Sequence, residues 1–177
     1  LQLYWNVPCL DCGEFQPYVF GQFRWDEGEP GQGPIPQSEG ERTTYAGQIE
    51  AGNVKVWYQC AHCDAEWSMQ TRHKQLAQGE WRDKEGKTWE KGRASRVGFH
   101  IWSAASPWVS WNRLVAEFIR SQSTPQAIMN FMNNWLGLPY EEQLGKIEAS
   151  FLETKGQQSD RKSTRLNSSH SSVSRMP

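Results

Sequence analysis

The sequence predicts an α+β fold in which short antiparallel strands are followed by two or three packed helices. Aromatic and β-branched residues alternate with polar ones in residues 14–25 and 54–58, as in half-buried strands. Two segments after residue 110 carry apolar residues at helical spacing behind good N-cap residues. The 177 residues suffice for one ordinary domain. Because the chain begins at Leu1 rather than Met, we expect a fragment of a larger protein.

The four cysteines fall into two Cys-x-x-Cys pairs. A two-residue spacer lets a tight turn aim two thiolates at one ion, and tetrahedral zinc takes four such ligands at about 2.3 Å. Gly13 and Asp64 follow the two pairs and tolerate the left-handed backbone that such turns need. The pattern predicts a structural zinc ribbon whose ligands are Cys9, Cys12, Cys60 and Cys63.

Other uses of these cysteines remain open. Two disulfides or two redox pairs would fit the spacing, although no secretory signal and no βαβ pattern accompanies them. A rubredoxin-like iron site would use the same four ligands. His62 lies inside the second pair and competes in principle, but four thiolates already fill the tetrahedron. We expect His62 to be solvated, and His73 and His100 to be surface or packing residues.

An insertion separates the two cysteine pairs. Forty-seven residues lie between Cys12 and Cys60, whereas simple ribbons use about 15–20. Residues 26–52 contain six glycines and three prolines, which disfavour helix and central strand. We therefore predict a zinc-ribbon module over residues 1–109 with a Gly/Pro-rich loop inserted at 26–52.

The remaining elements follow from capping and periodicity. Residues 69–78 favour a short helix that stops at Gly79, then a polar loop runs to Gly92, and residues 95–102 alternate as a strand. Ser110 caps a helix to about residue 121, and a Thr-Pro pair at 124–125 begins another that Gly137 ends. These helices define a helical segment, 110–142, and residues 143–159 are predicted to be a linker.

Composition excludes several classes of protein. The formal net charge of −1 and the 37% of apolar residues show neither the basic excess of a nucleic-acid-coating protein nor an acidic tail. No apolar run of about 18 residues and no basic leader is present. We expect a soluble intracellular protein without a membrane partner.

Residues 160–177 do not resemble the sequence of a natural protein. They have no apolar periodicity, and they resemble the in-frame translation of a sequencing-library adapter. We expect this segment to be an adapter-derived artefact and disordered. Its removal takes away four basic residues and one acid, which changes the formal net charge from −1 to −4.

Two further groups of residues have a structural and a functional interpretation. The ten tryptophans favour core packing over base stacking, with Trp102, Trp108, Trp111 and Trp135 near the helices. A basic cluster is a candidate for phosphate contacts, but interleaved acids favour a solvated loop; it comprises Lys84, Lys87, Lys91, Arg93 and Arg96.

No phosphate-binding loop, nucleophile elbow or HExxH motif occurs, so the residues themselves predict no catalytic site.

The order of motifs resembles the middle of the large terminase subunit of tailed bacteriophages, GpA family, over about residues 4–142. The resemblance rests on Val7-Pro8-Cys9-x-x-Cys12-Gly13-Glu14, Tyr58-x-Cys60-x-x-Cys63, Gly79-Glu80-Trp81, Gly98-Phe99-His100-Ile101-Trp102-Ser103, Ser106-Pro107-Trp108 and Phe131-x-Asn133-x-x-Leu136-Gly137-x-Pro139-Tyr140-Glu141-Glu142. The length of the insertion and Tyr140, where the family often has Trp, depart from the family pattern.

The resemblance implies a place between two enzymatic domains of a DNA-packaging motor. In this family an ATPase domain uses ATP and Mg to drive viral double-stranded DNA into the procapsid, and a nuclease domain cuts the concatemer. The implied partners are DNA, the small terminase subunit and the portal, in the cytoplasm of the bacterial host. The fragment itself would be a structural zinc-binding connector without an active site. The alternative is a free-standing zinc-ribbon module that binds DNA or protein.

Overall fold

Seven short strands and four helices form the part of the chain that the computed structural model describes, residues 1–26 and 32–139. The strands are β1 (Gln2–Pro8), β2 (Phe15–Pro17), β3 (Phe23–Trp25), β4 (Val56–Gln59), β5 (Glu66–Trp67), β6 (Glu80–Arg82) and β7 (Gly98–His100). The helices are α1 (Glu39–Glu50), α2 (Met69–Ala77), α3 (Trp111–Ser121) and α4 (Pro125–Phe131). These elements confirm the predicted α+β class.

One sheet is built around β1. This strand pairs antiparallel with β2 and β6, as predicted, and it also pairs parallel with β7, which the sequence analysis did not predict. β6 lies where a polar loop was predicted from Gly79 to Gly92, and that prediction is wrong for residues 80–82. The reason is tertiary: Trp81 packs edge-on against Trp5, with ring centroids 5.0 Å apart. Gly79 is needed beside it, because a Cβ there would collide with the Trp5 ring.

The second sheet has the strand order β3–β4–β5, and all its pairs are antiparallel. β3 and β4 confirm the strands predicted from alternating residues. Tyr58 on β4 is fully buried and lies opposite Phe23 on one side and Trp67 on the other. This sheet therefore joins the second cysteine pair to the aromatic core.

Helix α1 corrects the prediction of a loop throughout residues 26–52. Ser38 and Glu41 form a capping box, in which the Ser38 hydroxyl accepts from the Glu41 N–H and the Glu41 carboxylate accepts from the Ser38 N–H. Ala46 and Ile49 are fully buried, and α1 packs against α3. Capping and packing thus outweigh the low helix propensity of the two glycines in this helix.

The other helices begin and end close to the predicted residues. Ser110 and Thr124 accept hydrogen bonds from the N–H groups of Arg113 and Ala127. A wider helical turn, Met132–Leu136, continues α4, and Gly137 ends it with a φ of +64°. That left-handed conformation explains the glycine.

The core is mainly aromatic. Trp111 on α3 is fully buried and packs edge-on against Phe23, with ring centroids 5.4 Å apart, and against Tyr18, at 6.0 Å. Trp25 and Trp67 are buried too, which confirms that tryptophans fill the core. Trp89 and Trp108 are exceptions among the tryptophans, since 41% and 89% of their surfaces are exposed.

The strands and helices share one compact unit, Leu1–Leu138. The sequence segments 1–109 and 110–142 therefore pack together over their described residues. The predicted linker 143–159 and the predicted adapter-derived segment 160–177 lie outside the described residues. Among the described helices, none combines the length and hydropathy that crossing a membrane requires.

Candidate metal centre

The fold brings the four cysteine sulfurs together, although the two pairs are far apart in the sequence. All four Sγ atoms lie within 4.8 Å of one another. The Sγ atoms of Cys9 and Cys63 are 3.7 Å apart, and those of Cys12 and Cys60 are 3.9 Å apart. Four thiolates at about 2.3 Å from one tetrahedral ion would be separated by about 3.8 Å. The cluster is therefore able to bind a metal ion, and no other such cluster occurs in residues 1–26 and 32–139.

All four cysteines are free thiols in this arrangement. A disulfide requires about 2.05 Å between sulfurs, far less than the separations between the pairs. Cys9 and Cys60 are buried, whereas Cys12 and Cys63 are exposed. The cluster thus has an inner side on the protein core and an outer side in solvent.

Two equivalent turns hold the cysteines. In the first, the Cys9 N–H donates to the Glu14 carbonyl at 2.9 Å and the Gly13 N–H to the Cys9 carbonyl at 3.0 Å. In the second, the Cys60 N–H donates to the carbonyl of Ala65 at 2.9 Å. The N–H of Asp64 donates to the Cys60 carbonyl at 3.1 Å.

Both turns use a left-handed residue at the same place. The φ angles are +77° at Gly13 and +59° at Asp64, as predicted from the sequence. Each turn lies at the end of a strand, the first after β1 and the second after β4. The sheets therefore fix the positions of both halves of the cluster.

Side chains outside the cysteine pairs donate to the sulfurs. The Trp67 indole N–H lies 3.3 Å from the Cys9 Sγ, and the Gln16 amide lies 3.2 Å from the Cys60 Sγ. The Gln16 side-chain oxygen accepts from the backbone N–H of Ala61 at 3.0 Å. This one buried amide therefore bonds both to the Cys60 sulfur and to the backbone of the turn that holds Cys60. Such donors stabilise negative charge on sulfur and orient the ligands.

The thiols differ in acidity without a metal. Burial raises the pKa of Cys9, but the backbone N–H groups of Cys12 and Asp11 and the Trp67 indole outweigh it and lower this pKa to about 7. At Cys63 the Ala65 N–H lowers the pKa, whereas burial and the neighbouring thiols raise it, to about 12 overall. The pKa of Cys12 is also raised: the Glu14 N–H and the Cys63 thiol lower it, but burial and the thiols of Cys9 and Cys60 outweigh them. A metal ion must therefore displace protons from this cluster.

The histidines stay apart from the cluster. His62 and His73 are exposed, and neither joins the four cysteines. His100 lies 3.2 Å from the Leu136 carbonyl, and its ring packs at a tilt against Tyr4, with ring centroids 5.5 Å apart. It is a packing residue between β7 and the end of the last helix.

Gln16 and Trp67 are the participants that sequence reasoning missed. Gln16 is 44 positions from Cys60, and Trp67 is 58 positions from Cys9. Each side chain reaches a sulfur that follows a strand of the other sheet: Gln16 on β2 reaches Cys60 after β4, and Trp67 on β5 reaches Cys9 after β1. Only the meeting of the two cysteine turns brings these residues together. The alternating pattern of residues 14–25 was the available signal, since it assigns Gln16 to a strand beside the first turn.

Two regions of the chain are similar to domains of a known protein family. Residues 2–81 match the profile "Phage terminase large subunit gpA, ATPase domain" and residues 96–165 match "Terminase large subunit gpA, endonuclease domain". "Terminase, large subunit" of Enterobacteria phage P21 is 25% identical over 158 residues, which cover 79% of this chain and 21% of that protein. No solved structure matches the chain significantly.

The α+β unit contains a four-cysteine cluster that is able to bind a metal ion, and its first and second parts match two domains of the terminase large subunit gpA. The chain belongs to the family of phage terminase large subunits, of the GpA type, and is a fragment of such a subunit. It spans about a fifth of the length of the curated relative it matches.

Proposed function

We propose that the chain is a zinc-stapled connector between the ATPase and endonuclease regions of a terminase large subunit. The observation that carries the proposal is a strand pairing across the two matched regions. β1 lies in the region that matches the ATPase domain, and it pairs with β7, in the region that matches the endonuclease domain. The two matches therefore meet inside one folded unit rather than at a flexible joint.

The four cysteines supply the staple. They lie in the ATPase-matching region, and their two turns end β1 and β4. Zinc bound by four thiolates contributes on the order of 10 kcal/mol to the folding of small zinc modules. That contribution is comparable to the whole net stability of an ordinary domain, about 5–15 kcal/mol. Zinc would thereby hold both sheets, and with them the start of the endonuclease-matching region, in one arrangement.

The complete protein would be a DNA-packaging enzyme. We infer that its ATPase uses ATP and Mg to translocate concatemeric viral double-stranded DNA, and that its endonuclease cuts that DNA. The small terminase subunit and the portal would be its partners in the cytoplasm of the bacterial host. The segment described here would contribute no active site of its own, in line with the lack of catalytic motifs in its sequence.

Metal stoichiometry tests the zinc assignment. The full chain purified from zinc-supplemented cells should contain one zinc per chain by elemental mass spectrometry. Replacing both buried ligands, Cys9→Ser with Cys60→Ser, should abolish stoichiometric zinc and loosen the fold. His62→Ala is the matched control, because His62 lies in the second turn but outside the cluster, and this variant should keep its zinc.

Two outcomes would contradict the assignment. A cysteine double variant that melts like the wild type would show that the cluster does not staple the fold. Visible absorbance from ferric thiolate charge transfer, with iron in place of zinc in the same purified chain, would indicate an iron site with the same ligands.

A further inference from the structure

A hairpin rich in basic residues lies between the two family-matched regions. It begins with β6 and turns back so that Arg82 pairs with Thr88, and the Trp89 N–H donates to the Trp81 carbonyl at 2.9 Å. The chain then runs through residues 90–96 toward β7. We call residues 80–96 the basic hairpin. The matched regions end at residue 81 and resume at residue 96.

A buried carboxylate holds this hairpin in one conformation. Asp83 is 5% exposed and accepts from the backbone N–H groups of Glu85, at 3.1 Å, and Lys87, at 2.8 Å. It also forms an ion pair with Arg93, whose guanidinium reaches the Thr88 carbonyl as well. These bonds tie the turn to the returning strand and to the segment beyond it.

The hairpin presents cations that have no partner within the described residues. Two of its six basic side chains are ion-paired, Arg82 with Glu80 and Arg93 with Asp83. The other four are exposed, and none forms an ion pair with another described residue; they are Lys84, Lys87, Lys91 and Arg96. Only two acids of the hairpin, Glu85 and Glu90, are left to oppose them. The hairpin is therefore a local positive surface on a chain with a formal charge of −1.

We propose that the Asp83-held basic hairpin contacts the phosphates of duplex DNA. This inference rests on the proposed function, because it assumes that the segment works in a protein that handles DNA. Lysines contact phosphates as point charges, and a phosphate contact carries no information about the bases, so the binding would not depend on sequence. Its place between the ATPase and endonuclease matches suits a contact that must hold DNA during both activities.

Salt-dependent binding tests the proposal. The zinc-loaded full chain and the triple variant Lys84→Gln, Lys87→Gln, Lys91→Gln are titrated with a short DNA duplex of arbitrary sequence at several salt concentrations. Each lost phosphate contact lowers the slope of log K against log salt by about 0.9. The triple variant should therefore bind more weakly and have a slope smaller in magnitude by about 2.7.

The matched control replaces an equivalent lysine elsewhere. Lys74 on α2 is exposed and has no ion pair with a described residue, so Lys74→Gln changes the net charge without touching the hairpin. It should bind as wild type, whereas Lys87→Gln alone should lower the slope by about 0.9. Equal slopes for the wild type and the triple variant, or a wild type without measurable affinity at low salt, would overturn the proposal. Zinc content measured on the same samples keeps that failure distinct from failure of the zinc assignment.

A second variant separates an ordered contact from diffuse attraction. Asp83→Asn removes a negative charge and frees Arg93, so diffuse electrostatics would strengthen DNA binding. An ordered hairpin would lose its shape, and we expect weaker binding in spite of the added positive charge. Stronger binding by this variant would overturn the role of Asp83. Poly-glutamate bound as tightly as DNA would overturn DNA as the partner and favour an acidic protein surface.

Discussion

At the scale of single residues, the cluster depends on donors that surround the sulfurs. Trp67 and Gln16 each donate to a buried sulfur, and backbone N–H groups complete the set. Thiolates bring more negative charge than one divalent ion neutralises, so N–H donors are needed to stabilise the excess. The same residues fill the core on the inner side of the cluster.

Gln16→Leu tests this support. The substitution keeps the side-chain volume but removes the bond to the Cys60 sulfur and leaves the Ala61 N–H without its acceptor. Loss of an orienting neighbour lowers metal affinity by about 10- to 100-fold in metalloproteins, and we expect a loss in that range by chelator competition. Gln70→Leu, at an exposed position on α2, is the control and should bind zinc as wild type. Equal affinities for both variants would show that Gln16 is not part of the site.

Zinc affinity should rise steeply with pH. The pKa values of Cys12 and Cys63 are raised in the metal-free protein, so both thiols are protonated at neutral pH and must lose their protons on binding. Two displaced protons make the apparent affinity increase by at least about 100-fold per pH unit between about pH 6 and 8. Competition titrations at several pH values measure this slope. A pH-independent affinity would mean that the thiols are not the ligands.

The sequence was sufficient to predict that the four cysteines lie together, but not which side chains surround them. A tight turn between two thiolates is a local feature, so spacing and the residues Gly13 and Asp64 reveal it. The contacts of Gln16 and Trp67 join residues of two different sheets, and no local pattern encodes how those sheets meet.

At the scale of elements, helix ends differ in how they are capped. The Ser110 hydroxyl accepts from the Arg113 N–H at 3.1 Å at the start of α3, whereas Ser68 at the start of α2 makes no such side-chain bond. The two serines therefore form a matched pair, because the same substitution at each removes a cap in one helix only.

Ser110→Ala should lower the free energy of unfolding by about 1 kcal/mol, since a helix N–H loses its acceptor. Ser68→Ala should change it by less than about 0.5 kcal/mol. Urea unfolding of the zinc-loaded chain measures both. Equal losses in the two variants would contradict the difference in capping.

Elements were predicted well where the signal was local and poorly where packing decided. The caps at Ser110 and Thr124 marked two helices correctly. The sequence analysis did not predict helix α1, because the glycines and prolines of residues 26–52 favour a loop. Ser38 and Glu41 nevertheless have the spacing of a capping box. The strand β6 depends on Trp81 packing against Trp5, which only the tertiary structure reveals.

At the scale of the whole molecule, the four-cysteine cluster and the aromatic core lie in the same compact unit. Trp67 donates to the Cys9 sulfur and also stacks on Tyr58, with ring centroids 4.9 Å apart. Tyr58 and Trp111 lie 6.2 Å apart between ring centroids, which extends the contacts to α3. Since α3 lies in the endonuclease-matching region, we expect loss of a bound metal ion to destabilise the structure on both sides of the basic hairpin.

Amide hydrogen exchange of the full chain, with zinc and after its removal by a chelator, tests the connector most directly. We predict that removal of zinc increases exchange near the cysteine turns and also in β7 and α3, because both regions share one cooperative unit. Increased exchange confined to residues 1–81, with residues 98–121 as protected as before, would contradict a zinc-stapled connector.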